Sequence, residues 1–141
     1  MSRMTKAATA LAFTFAGTLI ALVPGTAAQA ALPMCTTVKS IAIGGDVVEV
    51  PSLSNGSTQC TLSVNAYTSA ATVRLQRALR YCNLKAQIAV DGAYGPQTKA
   101  AVVAFQRSKG ISDDGIYGPV TGHLLRWPSF EFPTTHCLGA F

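Results

Sequence analysis

The chain is poor in charge, histidine and tryptophan: charged residues make up 12% of 141 positions, with two histidines and one tryptophan. Six acidic residues leave little from which to assemble a paired acid and nucleophile for glycoside cleavage, and three of them, Asp91, Asp113 and Asp114, stand in turn-rich settings. His123 and His136 are isolated, and no two cysteines are close in sequence, so the metal reading of the cysteines is weak and neither metal nor cofactor is expected. No cysteine sits in a motif suited to nucleophilic catalysis. No basic run interleaved with aromatics is present, which argues against a nucleic-acid partner. These absences point away from an enzyme.

Residues 1–30 have the pattern of an export signal. Arg3 and Lys6 precede an apolar run from Ala7 to Val23, and Ala28, Gln29 and Ala30 form a small-x-small cleavage pattern. An uncleaved membrane anchor is the competing reading, disfavoured because the small-residue end follows directly and no basic stop-transfer cluster does. No arginine pair precedes the apolar run, and Cys35 follows Pro33 and Met34 too far from it for a lipid-anchor site. A mature chain over 31–141 is therefore expected, secreted and not inserted in a membrane. Without Arg3 and Lys6, nine basic residues face six acidic ones, a mild excess that favours an anionic partner only weakly.

Four cysteines, Cys35, Cys60, Cys82 and Cys137, all fall in that mature part, and an even count in a small exported chain reads as two disulfides. Of three possible pairings, Cys60 with Cys82 inside the module and Cys35 with Cys137 across its ends is preferred.

The octapeptide DGAYGPQT at 91–98 returns as DGIYGPVT at 114–121, six of eight positions recurring at an interval of 23. Each copy joins an Asp-Gly turn to a Gly-Pro pair suited to opening a helix. Upstream, Ser69 can cap a helix whose Thr72, Leu75, Leu79 and Cys82 share one face, with Arg74, Arg77 and Arg80 elsewhere as a solvated face. A second helix opens at Gly95 and Pro96, lines one face with Thr98, Val102 and Phe105, and stops at Gly110. The repeat predicts a third helix from Pro119 to about Arg126. Before these, Val38–Ile43 and Val47–Val50 flank Gly44, Gly45 and Asp46 and read as a hairpin. The expected organisation is thus a signal at 1–30, an arm at 31–68, a helical module at 69–127 and a tail at 128–141.

The runs LQRAL at 75–79, DGAYGPQT, AVVAFQRSKGI at 101–111 and DGIYGPVT, with Leu124 and Leu125, resemble the type 1 peptidoglycan-binding domain. The resemblance implies a small three-helix module and does not extend to residues 31–58; joined to the hairpin and the paired cysteines read above, it gives an expected fold that is mainly α, with an N-terminal, hairpin-like, disulfide-tied arm. It implies binding to bacterial peptidoglycan without catalysis; with the export signal, the expected protein is a secreted bacterial, actinobacterial-type monomer, in the extracellular space or at the cell wall.

Within that reading, each repeated residue serves fold or ligand. The aspartates, glycines and prolines are explained by turns and helix starts. Tyr94 and Tyr117 either pack in the core, the favoured reading, or present a ring to a sugar face. Gln76 and Gln106 either satisfy loop backbone, again favoured, or offer an amide to glycan or stem peptide. The ligand surface is expected in a shallow groove where loops meet helix starts, with Tyr94, Tyr117, Gln76 and Gln106 as contacts and Arg77, Arg74 or Lys99 attracting carboxylates. Trp127 reads as a lid over the core. The alternatives are a secreted interaction or inhibitory protein on the same fold and, less favoured, a wall hydrolase.

Overall fold

Ser69 begins the helical part as its sequence suggests: its hydroxyl accepts the backbone N–H of Thr72 at 3.1 Å and caps α1, Ala70–Arg77. The computed structural model describes residues 31–64, 66–129 and 136–139; the export signal expected over 1–30 lies outside the described residues. The next helix, α2, Pro96–Lys109, has Gly95 as its N-cap and ends on Gly110 in the left-handed conformation, φ 67°. A third, α3, Pro119–Leu124, is two residues shorter than the repeat predicts, because Leu125 turns to extended backbone and leads into a strand.

Four strands accompany the helices. β1, Thr37–Ile43, and β2, Asp46–Ser52, pair antiparallel through a two-residue turn, Gly44 and Gly45, whose φ angles of 61° and 98° suit glycine. β3, Arg126–Pro128, pairs antiparallel with β4, Cys137–Gly139, with Trp127 opposite Leu138. The fold is therefore mixed α and β, which corrects the expectation of a mainly α, three-helix module carrying an arm. Alternation along β2 is the physical reason. Val48 and Val50 point inward and are wholly buried in the core that holds Leu75, Leu79, Val102, Phe105 and Trp127. Burying each such side chain stabilises by about 1.5 to 3 kcal/mol, so the hairpin is part of the core and not an appendage. Between the two valines, Glu49 faces α1 and is ion-paired with Arg74.

The disulfide pairing also differs from the expected one. Cys35 is joined to Cys60 and Cys82 to Cys137, with Cα atoms 5.0 and 5.5 Å apart. The first bond closes the segment that carries the hairpin, whose ends already meet where Cys35 donates its backbone N–H to Thr61 and Thr61 to Pro33. The second fixes β4 to the end of the first helix. There α1 continues without a break into a wider π-helical turn, Ala78–Asn83. Asn83 completes the junction: its side chain donates to the carbonyls of Ala78 and Arg126 and accepts the backbone N–H of Arg126. The nominal tail is thus tied in by a strand and a covalent bond.

Candidate functional site

The two repeated loops are held by one hydrogen-bond pattern used twice. Gln76 donates its side-chain amide to Asp91 Oδ1, the carbonyl of Ala93 and Thr98 Oγ1, at 2.9, 3.0 and 3.1 Å. Its Oε1 accepts the backbone N–H of Gly92 at 2.9 Å. Gln106 makes the corresponding contacts to Asp114, Ile116 and Thr121 at 2.9, 3.0 and 3.3 Å, and accepts from Gly115 at 2.9 Å. An amide NH₂ has two hydrogens, so in each clamp one of them serves two acceptors. Gln76 and Gln106 are 1% and 2% exposed, and their amides are fully committed to the loops.

Each aspartate spends one oxygen on this clamp. Asp91 Oδ1 also accepts the N–H of Ala93, and Asp114 Oδ1 that of Ile116, at 2.9 and 2.8 Å. The Gln76 amide, and after it the Ala93 N–H, hold the Asp91 carboxyl below its ordinary value. The second oxygen of each carboxylate has no hydrogen-bond or ion-pair partner among the described residues.

Beside each loop lies a shallow depression at the start of the following helix. The first, about 450 Å³, is lined by Gln76, Asp91, Ala93, Gln97 and Thr98. The second, about 270 Å³, is lined by Gln106, Asp114, Ile116, Val120 and Thr121, with Leu32 from the N-terminal segment. They are the same place on two copies of one device.

This geometry distributes the expected contact residues unevenly. Gln76 and Gln106 form the floors of the depressions. Tyr94 and Tyr117 line neither depression and are 2% and 1% exposed. Tyr94 donates its phenol to the Gly115 carbonyl at 2.9 Å, and Tyr117 meets Trp127 edge to face at 6.2 Å. Burial pushes both phenols well above their ordinary range. Arg77 is half-buried on α1, outside both linings, and Arg74 is engaged with Glu49. Asp91 and Asp114, read from the sequence as turn formers, do accept turn backbone N–H groups, and both are also exposed and line the depressions. One signal in the sequence marks the lining: the two positions at which the octapeptides differ, Ala93 against Ile116 and Gln97 against Val120, are exposed and line the two depressions.

The segment that carries both loops is similar to parts of known proteins. Residues 68–125 match the protein family described as "Putative peptidoglycan binding domain". A zinc D-Ala-D-Ala carboxypeptidase of Streptomyces albus G is 51% identical over 45 residues, which are 32% of this chain and 18% of that enzyme. A "Probable N-acetylmuramoyl-L-alanine amidase" of Bacillus licheniformis is 54% identical over 35 residues, 25% of this chain and 10% of that enzyme. The chain therefore spans under a fifth of either relative. A crystal structure of a peptidoglycan-binding protein from Clostridioides difficile, in complex with glutamine hydroxamate, is similar with a TM-score of 0.45 and 26% identity, over 60% of this chain and 53% of that one.

Proposed function

We propose that this protein is an exported, non-catalytic module that binds peptidoglycan, with the paired depressions at the repeated loops as its contact surface. The match of residues 68–125 to a peptidoglycan-binding family carries this reading. Export agrees with the two disulfides, which persist in oxidising compartments, and with the signal pattern of residues 1–30. Binding without catalysis agrees with the partial likeness to the carboxypeptidase and the amidase, which covers only 18% and 10% of those enzymes. In this reading Gln76 and Gln106 shape the floors, Asp91 and Asp114 offer acceptors to the ligand, and Arg77 lends positive charge beside the first depression. Tyr94 and Tyr117 support the surface from beneath.

The test is co-sedimentation of the purified 31–141 chain with washed wall sacculi at low and high salt. Retention in the pellet at both is expected, and loss at both would overturn the proposal. Release of soluble muropeptides by the purified chain would overturn its non-catalytic part.

A further inference from the structure

The two depressions share a scaffold and differ in their walls. At the third and seventh positions of the octapeptide the first copy has Ala93 and Gln97, where the second has Ile116 and Val120. Ile116 is 42% and Val120 62% exposed, and Leu32, 41% exposed, adds a further apolar group to the same wall. Asp114 lines the same depression; its Oδ1 is fixed by Gln106 and the Ile116 N–H, and its Oδ2 has no partner among the described residues. Arg107, the cation ion-paired nearby in sequence, is engaged with Asp113.

Apolar side chains sharing a depression with one anchored carboxylate complement an amphipathic cation: aliphatic carbons against the apolar groups, ammonium hydrogens on the oxygen. A neutral sugar would gain little from Ile116 and Val120, and a carboxylate ligand would be repelled by Asp114. At about 270 Å³ the depression lies below the roughly 300 to 1,000 Å³ of sites for drug-sized ligands, a scale suited to one short chain. We infer that the depression of the second loop binds an alkylammonium group, the free side-chain amine of a diamino residue in an uncrosslinked wall peptide. The source of that amine rests on the wall-binding reading; the chemistry of the site does not. The first depression, with Ala93 and Gln97 around the equivalent carboxylate, Asp91, is the weaker amine site.

Asp114→Asn separates the ligand contact from the fold, because asparagine keeps an Oδ1 to accept from Gln106 and Ile116 while its amide replaces the free oxygen by a donor. Binding to untreated sacculi and to sacculi whose amines have been N-acetylated is compared for the natural chain, Asp114→Asn, Asp91→Asn and the double variant Ile116→Ala with Val120→Gln, which gives the second wall the residues of the first. Acetylation is expected to weaken the natural chain about tenfold or more, the scale of one lost charge-assisted hydrogen bond. Asp114→Asn should show that loss on untreated walls and no further loss on acetylation, exceed Asp91→Asn in effect, and be accompanied by weaker binding of the double variant. Equal binding to both walls, or an Asp114→Asn variant that binds like the natural chain, would overturn the inference. If the natural chain does not sediment at all, the wall-binding reading fails by itself. The amine site is then decided by NMR titration with Nα-acetyl-lysine against Nα,Nε-diacetyl-lysine. Shifts at Gly115, Ile116 and Val120 with the first alone uphold it, and no shifts or equal shifts overturn it.

Discussion

Tyr94, the aromatic residue of the first repeated loop, donates its phenol to the backbone carbonyl of Gly115 in the second, so each loop is held by the helix before it and the two are held to each other. The position therefore reports on stability. Tyr94→Phe keeps the ring and leaves a buried carbonyl without its donor, at about 1 to 3 kcal/mol. Tyr94→Ala empties a core position as well and should cost about 3 to 5 kcal/mol. Urea denaturation should show both losses, with wall retention of the folded Phe variant unchanged.

The glutamine clamps should be intolerant of a charge. Gln106→Glu loses both donor hydrogens and sets a second carboxylate against Asp114, leaving the Ile116 carbonyl unpaired. A loss of about 2 to 4 kcal/mol is expected, since a buried charge without a partner costs more than a missing neutral hydrogen bond. Gln76→Glu should behave alike at the first loop, and denaturation midpoints of the two variants check it.

Glycine positions of similar φ should differ in cost according to their surroundings. Gly110 and Gly115 lie at 67° and 70°, but a Cβ on Gly110 meets open space, whereas one on Gly115 would come within 2.7 Å of Lys99 Cγ and 3.0 Å of Val103 Cγ2. Gly110→Ala should cost about 1 to 2 kcal/mol for the left-handed backbone alone. Gly115→Ala should cost clearly more, and thermal melts of the pair read the difference.

Peptide mapping of the non-reduced chain should recover Cys35 linked to Cys60 and Cys82 linked to Cys137. Replacing either pair with serine should cost roughly 3 to 4 kcal/mol by loop entropy, as an upper limit. Under mild reductant the Cys82–Cys137 bond, half-buried, should open before Cys35–Cys60, whose sulfurs belong to residues 3% and 0% exposed.

Acid should loosen the first loop through Asp91. Its native carboxyl is held below the ordinary 3.8, so its contribution to stability is complete above that value and is lost as pH falls through the lower native one. The Gln76 side-chain amide and the Ala93 N–H should shift together in an NMR pH titration with a midpoint below 3.8. A midpoint at or above it would contradict the clamp.

Local chemistry made the helix boundaries readable. Ser69, Gly95 with Pro96, and Gly110 each carry their own reason to start or stop a helix, and the structure uses all of them. What could not be read were relations between distant segments. Val48 and Val50 look like any half-buried strand until α1 is seen to lie over them. Nothing near Cys82 indicates that its partner is Cys137, 55 residues on, because that depends on β4 pairing with β3. At the depressions the repeated residues drew attention to themselves, yet repetition marked the frame. Tyr94 and Tyr117 recur because both copies bury a ring, while Ile116 and Val120, which do not recur, meet the solvent.

The clamps also show what the repeat tolerates. Gln76 stands 15 residues before Asp91, while Gln106 stands 8 before Asp114. The longer spacer holds the π-helical turn and Lys85, the one non-glycine described residue at positive φ, and it carries Cys82 and Asn83. Both loops nevertheless keep the same hydrogen bonds. The spacer is thus a splice point: chain can be added between a helix and the loop it grips, and used to moor another segment, without disturbing either grip.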